Sequence, residues 1–323
     1  MNQATARAGA NIALVKYWGK RDQRLNLPAA GSISITLAGL ETRTTVTLDP
    51  SLEVDRFFLD GVEQSPGRVG AMLDQLREMA GETTPCRVDS SNNFPTGSGL
   101  ASSASGFAAL VTAAASAFGL EVPDRERSRL ARLGSGSAAR SIFGGFVEMD
   151  AGLCKDGSDA VARPLLAAGE WPLEVVVAVT DSGSKAVGSR DGMNHTMRTS
   201  PYYPAWVDTV AADLEAARAA IAARDFEALA DVSEHSALKM HASMLAARPG
   251  LIYWNPATLA CLHAVRVLRS GGTGVFFTVD AGPQVKAVCL PGESERVIEV
   301  LGGQPGVQDV MVTGLGAGAS PVA

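Results

Sequence analysis

The sequence predicts an α+β protein of about two domains, and three observations lead there. Its 323 residues exceed the usual span of ~100–200 for one domain. Several short segments alternate polar and apolar residues, the period-two pattern of a half-buried strand. Others space their apolar residues three and four apart, the pattern of an amphipathic helix. Strand-like segments that follow one another near the N-terminus suggest a mostly antiparallel sheet rather than a regular βαβ alternation.

The strand pattern comes first. The stretch 8–20, AGANIALVKYWGK, joins an apolar run to Lys16, Tyr17, Trp18 and Lys20. Residues 32–37, SISITL, alternate, as do residues 42–48, and Phe57-Phe58-Leu59 runs into an Asp60-Gly61 turn. Apolar residues at 69, 72, 73, 76 and 79 then predict a helix with Arg68 at its start. Pro123-Asp124 opens a further helix. Residues 143–149 read as a strand, Lys155-Asp156-Gly157 as a hairpin turn, and 173–180, LEVVVAVT, as a core strand. The polar stretch 181–200 shows no clear period and reads as a long loop, of the kind that serves as a lid or stays disordered. Helical spacing returns at 206–217, at 225–247 and up to Gly271-Gly272. Residues 274–280 and 285–290 read as two last strands around Ala281-Gly282-Pro283.

Composition narrows the function classes. Hydrophobic residues make up 46% and charged residues 19%, ordinary for a soluble globular chain. A net charge of −6 does not suggest a nucleic-acid surface, though it leaves room for a local basic pocket. The cysteines Cys86, Cys154, Cys261 and Cys289 are scattered and fit a reducing cytosol. No signal-peptide core opens the sequence, and the Ala-rich stretch after Ala101 is too short and weakly apolar to span a bilayer. A cytoplasmic protein with no membrane partner is expected. His235 and His241 lie six apart, do not share a helix face as ligands four apart would, and read as surface or packing residues.

Chemistry concentrates in two Gly/Ser clusters. Residues 91–106, SNNFPTGSGLASSASG, lead into an Ala-rich helix. Gly97, Gly99 and Gly106 permit close backbone approach, the helix start offers free N–H groups, and Ser102 and Ser103 add hydroxyls for a phosphate or its Mg²⁺. No Lys follows in the common P-loop spacing, and phosphate binding is favoured over the alternative, a small-residue turn into a packed helix. The second cluster, Gly134 through Ala139, closes on Arg140, whose guanidinium fork suits an oxyanion. Asp280 ends an apolar strand. Position alone favours a turn cap over a placed acid or base.

Five segments, taken together and in this order, resemble the diphosphomevalonate decarboxylase family of the GHMP small-molecule kinase superfamily. They are ANIALVKYWGKRD at 10–22, SNNFPTGSGLASSASGFAAL at 91–110, GSGSAARSIFGGFVE at 134–148, MRTSPYYPAW at 197–206 and FTVDAGPQVK at 277–286. The resemblance implies a GHMP-kinase-type two-domain fold, divided at 1–180 and 181–323, with the active site in the cleft between the domains. It implies ATP and Mg²⁺ as cofactors, and phosphorylation of the 3-hydroxyl of mevalonate 5-diphosphate. Loss of CO₂ and phosphate would then give isopentenyl diphosphate. A homodimer is also implied.

The family's site residues carry over by position. Asp280 matches the catalytic aspartate, which reverses the turn-cap preference, and Lys16 matches a lysine that keeps it ionised. Arg140 matches the arginine facing the substrate carboxylate. Tyr17, Lys20, Ser135, Gly136, Ser137 and Ser189 match further substrate positions. Within the phosphate-binding loop at 94–106 and beside it, Asn93, Pro95, Gly97, Ser98, Gly99, Leu100, Ala101, Ser102 and Ser103 match the nucleotide site. Ser103 stands at the phosphate/Mg²⁺ serine, and Arg68 matches an arginine on the nucleotide side. One departure stands out. Where members read Pro-Thr-Asn or Pro-Met-Asn, this sequence reads Pro28-Ala29-Ala30. The missing amide leaves open the choice of the 5-diphosphate over a 5-monophosphate or free mevalonate; the alternatives are a mevalonate 5-phosphate decarboxylase or a mevalonate 3-kinase, while Lys16, Ser103, Arg140 and Asp280 together argue against a non-catalytic ligand-binding relative.

Overall fold

The computed structural model describes residues 2–94, 102–183 and 185–322. In chain order the elements are β1 (Gln3–Val15), β2 (Lys20–Asp22), β3 (Leu27–Pro28), β4 (Ser32–Leu48), β5 (Arg56–Leu59), β6 (Val62–Gln64), α1 (Gly67–Ala80), β7 (Cys86–Asn92), α2 (Ser102–Ala117), α3 (Asp124–Gly134), α4 (Ala138–Ser141), β8 (Phe146–Met149), β9 (Ala162–Leu166) and β10 (Glu174–Val179). They continue as α5 (Ser189–Thr199), α6 (Tyr203–Ala223), α7 (Phe226–Leu245), α8 (Pro256–Ser270), β11 (Val275–Val279), β12 (Val285–Cys289), α9 (Ser294–Gly302), β13 (Asp309–Gly314) and β14 (Ser320–Val322).

The fold is α+β. Among the described residues an eight-stranded sheet runs β14-β1-β4-β7-β5-β6, with β8 on β4 and β9 on β8, and only the β5–β7 pair is parallel. A four-stranded antiparallel sheet runs β11-β12-β10-β13. The expected division after residue 180 leaves β10 on the N-terminal side. In the structure β10 pairs with β12 and β13 in the second sheet, while β14, from the chain's far end, closes the first sheet against β1. The two sheets thus exchange strands across that boundary.

The apolar patterns are accounted for by burial on one face or two. Val175 and Val177 of β10 face a core built with Phe276, α6 and α7, while Val176 and Ala178 face a second core under α8 and α9. Both faces are covered, so the run is continuous instead of alternating. Each fully buried Val contributes on the order of 1.5–3 kcal/mol. A third core packs α1, α2 and α3 against the first sheet, and the Ala-rich sequence of α2 lets it lie close on β1 and β4.

The stretch 181–200 differs from its expectation as a loop, because α5 occupies its second half. Its buried positions are Gly192, Met193 and Thr196, which share one face, but two of the three are not apolar and the hydropathy signal is lost. Gly192 is required by close approach: a Cβ there would stand 2.4 Å from the Tyr253 hydroxyl and 3.2 Å from the Trp18 ring.

Candidate active site

Lys16, Asp280 and Arg140 converge on one cleft of about 510 Å³ between the sheets. Lys16 directly follows β1, and Asp280 directly follows β11, so each projects from the C-terminal end of a strand. Lys16 Nζ donates to Asp280 Oδ1 at 2.7 Å and to the Ala13 carbonyl at 2.8 Å. Lys286 Nζ, from β12, stands 3.4 Å from the other carboxylate oxygen. Burial by itself pushes the Asp280 carboxyl up, but the two ammonium groups outweigh it and hold Asp280 well below the usual carboxylate range. Burial, opposed by Asp280, brings Lys16 down to about 8. The pair is therefore an ionised carboxylate flanked by cations, able to accept a hydrogen bond from a hydroxyl and then its proton.

Arg140, from the short α4, is held differently. Its Nε donates to Ser34 Oγ at 2.9 Å, one terminal nitrogen to Ser32 Oγ at 2.6 Å and the other to Asn11 Oδ1 at 3.2 Å. Three of its five N–H groups are so occupied, and among the described residues the rest meet no partner, in the cleft that Arg140 lines. The polar face of SISITL is therefore not solvated. Ser32 and Ser34 are fully buried behind the guanidinium. Burial lowers Arg140 to about 10, leaving it charged at neutral pH.

The Gly/Ser turn after α3 forms the adjoining wall. Ser135, Gly136 and Ser137 line the cleft, and the hydroxyls of Ser103, Ser135 and Ser137 form a chain at 3.2 and 3.3 Å. Gly136 allows Tyr17 to approach, since a Cβ there would lie 2.1 Å from the phenol oxygen. That buried hydroxyl has no hydrogen-bond partner among the described residues, and burial pushes it up to about 12, so it stays a donor. Lys20 Nζ donates to Asn26 Oδ1 at 2.6 Å, and the Asn26 amide donates in turn to the carbonyls of Arg132 and Leu133 at 3.1 and 2.6 Å. Lys20 is thereby fastened to the end of α3. Burial lowers its ammonium to about 8, with Arg190 and Arg68 adding to the effect.

Arg68 and Ser102 sit between this cleft and a second cavity of about 240 Å³ beneath α1 and α2. Arg68 donates to the Gly134 carbonyl at 2.7 Å and lies 5.0 Å over the Phe107 ring. Ser189, first residue of α5, lines the main cleft and accepts from Lys185 Nζ at 3.1 Å. Asn93 is placed elsewhere. It accepts from the Glu41 amide at 2.8 Å and donates to the Gly39 carbonyl at 2.7 Å, pinning a bend in β4, and lines neither cavity. Its side chain is used on the protein backbone, so it is not carried forward as a nucleotide contact. Pro95, Gly97, Ser98, Gly99, Leu100 and Ala101 lie outside the described residues.

Comparison with known proteins follows the same geography. Residues 8–162 match the family model of the diphosphomevalonate decarboxylase-like N-terminal domain, and residues 175–311 that of the mevalonate 5-diphosphate decarboxylase C-terminal domain. The chain belongs to the diphosphomevalonate decarboxylase family. The human diphosphomevalonate decarboxylase is 38% identical over 302 residues, covering 86% of this chain and 74% of the human one. The crystal structure of mevalonate diphosphate decarboxylase from Staphylococcus aureus superposes with a TM-score of 0.93 at 36% identity, covering 100% of this chain and 98% of the other. MDDEF, solved in complex with MVAPP, AMPPCP and magnesium, gives a TM-score of 0.91 at 39% identity, covering 99% and 98%.

Several residues that line the decarboxylase cleft were not singled out from the sequence: Asn11, Lys185, Arg190 and Met193. Lys286, two strand positions from the turn after Asp280, was quoted only as part of a segment. Its signal was a lone Lys inside an otherwise apolar strand, VKAVC, buried at every position.

Proposed function

We propose that this chain catalyses the ATP-dependent decarboxylation of mevalonate 5-diphosphate to isopentenyl diphosphate, ADP, phosphate and CO₂. The observation that carries the reading is the Lys16–Asp280 pair facing Arg140 across one cleft. A tertiary alcohol is a weak nucleophile, and a fixed carboxylate takes its proton as the O–P bond forms. Asp280, ionised by Lys16 and Lys286, is that acceptor. Arg140 holds the substrate carboxylate. The C1–C2 bond then breaks, its electron pair forms the C2–C3 double bond, and the 3-phosphate leaves with the C3–O pair. Tyr17, Lys20, Ser135, Gly136, Ser137 and Ser189 hold the remaining anionic groups, joined by Lys185 and Arg190 from the opposite wall.

ATP is assigned to the side of the cleft where Arg68, Ser102 and Ser103 stand. The donor set fits magnesium carried by the nucleotide: among the described residues no group of three His, Cys, Asp or Glu side chains could cage an ion, and the Ser103 hydroxyl offers one oxygen beside phosphate oxygens. An ion held there by Ser103 and the nucleotide would supply charge neutralisation for the transferred phosphate.

Two coarser features support the setting. No helix among the described residues is long and apolar enough to cross a membrane. Cys86, Cys261 and Cys289 are buried as free thiols, which suits a cytoplasmic enzyme. A homodimer is part of the proposal, checked by mass in solution.

The reaction is tested by incubating the purified protein with Mg²⁺-ATP and, separately, mevalonate, its 5-phosphate and its 5-diphosphate. Equal ADP and CO₂ from the 5-diphosphate alone is the expected result. ADP without CO₂ would make the protein a 3-kinase, and both products from the monophosphate would shift the substrate. No ADP from any of the three would point to a binding protein.

A further inference from the structure

β1 and β11 belong to different sheets, and each presents an open edge where they meet. Among the described residues β14 covers β1 only at Thr5–Arg7, and β11 pairs with β12 alone. An open edge leaves backbone groups to be satisfied by other means. Here side chains close the seam. Ser236 Oγ, on α7, accepts from the Lys16 backbone N–H at 3.0 Å, and Glu234 accepts from the Phe277 N–H at 3.2 Å. The Ala13 carbonyl accepts twice, from Lys16 Nζ at 2.8 Å and from the Thr278 hydroxyl at 3.0 Å. A carbonyl oxygen has two lone pairs, so both bonds form together.

Two features of the strands bring these groups to one place. The β1–β4 register slips between Ala13 and Val15, where β1 carries one extra residue. Such a bulge bends its strand and re-aims the side chains beside it, and Lys16 comes next. On β11, one face carries Phe276 and Thr278, and the next residue in that alternation, just past the strand, is Asp280. Phe276 packs in the core opposite Val288, whereas Thr278 stands opposite Lys286. The face thus turns from apolar to polar at Thr278, which is fully buried. A buried hydroxyl must be paired, and its acceptor is the carbonyl that also holds Lys16.

We propose that Thr278 is a positioning residue for the Lys16–Asp280 pair: by sharing the Ala13 carbonyl with the Lys16 ammonium, its hydroxyl ties the end of β1 to β11 and so sets where the ammonium stands against the carboxylate. Thr278 does not line the cleft among the described residues, and it acts through Lys16. The consequence for rate rests on the proposed decarboxylase reaction, and the geometry does not. Lys16 and Asp280 are 264 positions apart, so no local structure keeps their spacing. A misplacement of about 1 Å near the reacting group costs on the order of 10²-fold in rate. Contacts on the Arg140 side of the cleft stay as they are, so the effect falls on kcat and not on KM.

The test pairs Thr278→Val with Thr278→Ser. Valine keeps the branched shape that suits a strand and removes only the hydroxyl, whereas serine keeps the hydroxyl and removes the methyl. The Val variant is expected to lose about 10-fold or more in kcat, with KM for ATP and the 5-diphosphate within about threefold. The Ser variant is expected to stay within about threefold of the parent in all three. An undiminished kcat in the Val variant, a change confined to KM, or equal losses in both variants would overturn the inference. A nitrogen-15 NMR titration of the Lys16 ammonium in the substrate-free protein gives a readout that needs no turnover. Burial disfavours the charged form of Lys16, as do Lys286 and Arg140, and Asp280 favours it, so a looser pair loses its proton at lower pH. The midpoint is expected to fall by about half a pH unit or more in the Val variant and to return in the Ser variant. A midpoint that stays in place or rises would overturn the positioning role even if the enzyme proves to be a decarboxylase. The expected NMR result in a protein that turns over none of the three mevalonates would keep the positioning role and reject the reaction.

Discussion

The two walls of the cleft hold their cations in opposite ways. On the first-sheet side, Arg140 is held by Ser32, Ser34 and Asn11, and Lys20 by Asn26; every one of these partners is neutral. On the side where the second sheet meets the first, Lys16 and Lys286 are held against a carboxylate, Asp280. A buried cation left without a counter-ion costs several kcal/mol, which neutral hydrogen bonds only partly offset. It is a standing site for an anion that arrives later. A cation already paired has little left to offer a ligand, and acts by keeping its partner ionised. The first wall is built to bind the substrate's negative charge, with Lys185 and Arg190 joining it from the α5 side, and the Lys16–Asp280–Lys286 cluster to tune one base.

The largest expected effect breaks the second wall. Asp280→Asn removes the proton acceptor and leaves Lys16 and Lys286 with a neutral partner. We expect kcat to fall by about 10³-fold or more, with the dissociation constant of the 5-diphosphate within a few-fold, measured by single-turnover kinetics and calorimetry. A loss under tenfold would take the base role from Asp280. Next comes the first wall. Arg140→Lys keeps the charge but cannot reach Ser34, Ser32 and Asn11 from one planar fork, and we expect about a 10²-fold fall in kcat/KM. Unchanged kcat/KM would remove Arg140 as the carboxylate clamp.

Much of this asymmetry was legible in the sequence, and the unread part has a physical cause. Lys16, Lys20, Arg140 and Asp280 stand in motifs whose residue order is visible without a structure. Several of their supports do not. Ser32 and Ser34 looked like the wet face of a half-buried strand, because period-two alternation is the same whether the polar face meets water or a buried guanidinium. Asn26, Ser32 and Ser34 take their roles from contacts that run to residues more than a hundred positions away, which no local pattern shows. α5 was read as loop because two of its three buried positions, Gly192 and Thr196, carry no apolar side chain. The fold class followed from periodicity, whereas the return of β14 to the first sheet is a long-range pairing with no local signal.

A pH profile separates the two walls by the proton each must keep. Lys20 and Lys16 both stand at about 8, below the ordinary lysine value, because burial disfavours the charged form. Each is needed as an ammonium, so activity is present below that pH and is lost as pH rises through it. In free enzyme both titrate, and kcat/KM for the 5-diphosphate is expected to fall above about pH 8 with a limiting slope of two protons. Lys20→Arg leaves only the Lys16 proton to lose, and the slope should drop to one. A slope of two retained in the variant would show that Lys20 is not the titrating group on the first wall.

The smallest effect concerns the residues that depart from the family pattern. Ala29 and Ala30 pack against the core shared by the sheets, and neither they nor Gly31 line the cleft among the described residues. Gly31 is closely confined, with the Leu214 side chain and the Met149 carbonyl 2.8 and 3.0 Å from where a Cβ would stand. A site built to use an amide here would leave a polar vacancy facing the substrate. Here the neighbouring wall is instead complete, with Ser32 already donated to by Arg140. Ala30→Asn should therefore change the ratio of kcat/KM for the 5-diphosphate over the 5-monophosphate by less than about threefold, a span under 1 kcal/mol. Its cost should appear in stability, because an amide placed among apolar neighbours without a partner destabilises by about 1–3 kcal/mol. A tenfold or larger change in the substrate ratio, with stability unchanged, would mean that this segment reaches the substrate after all, and that the first wall's neutral supports extend to the Pro28–Ser32 turn.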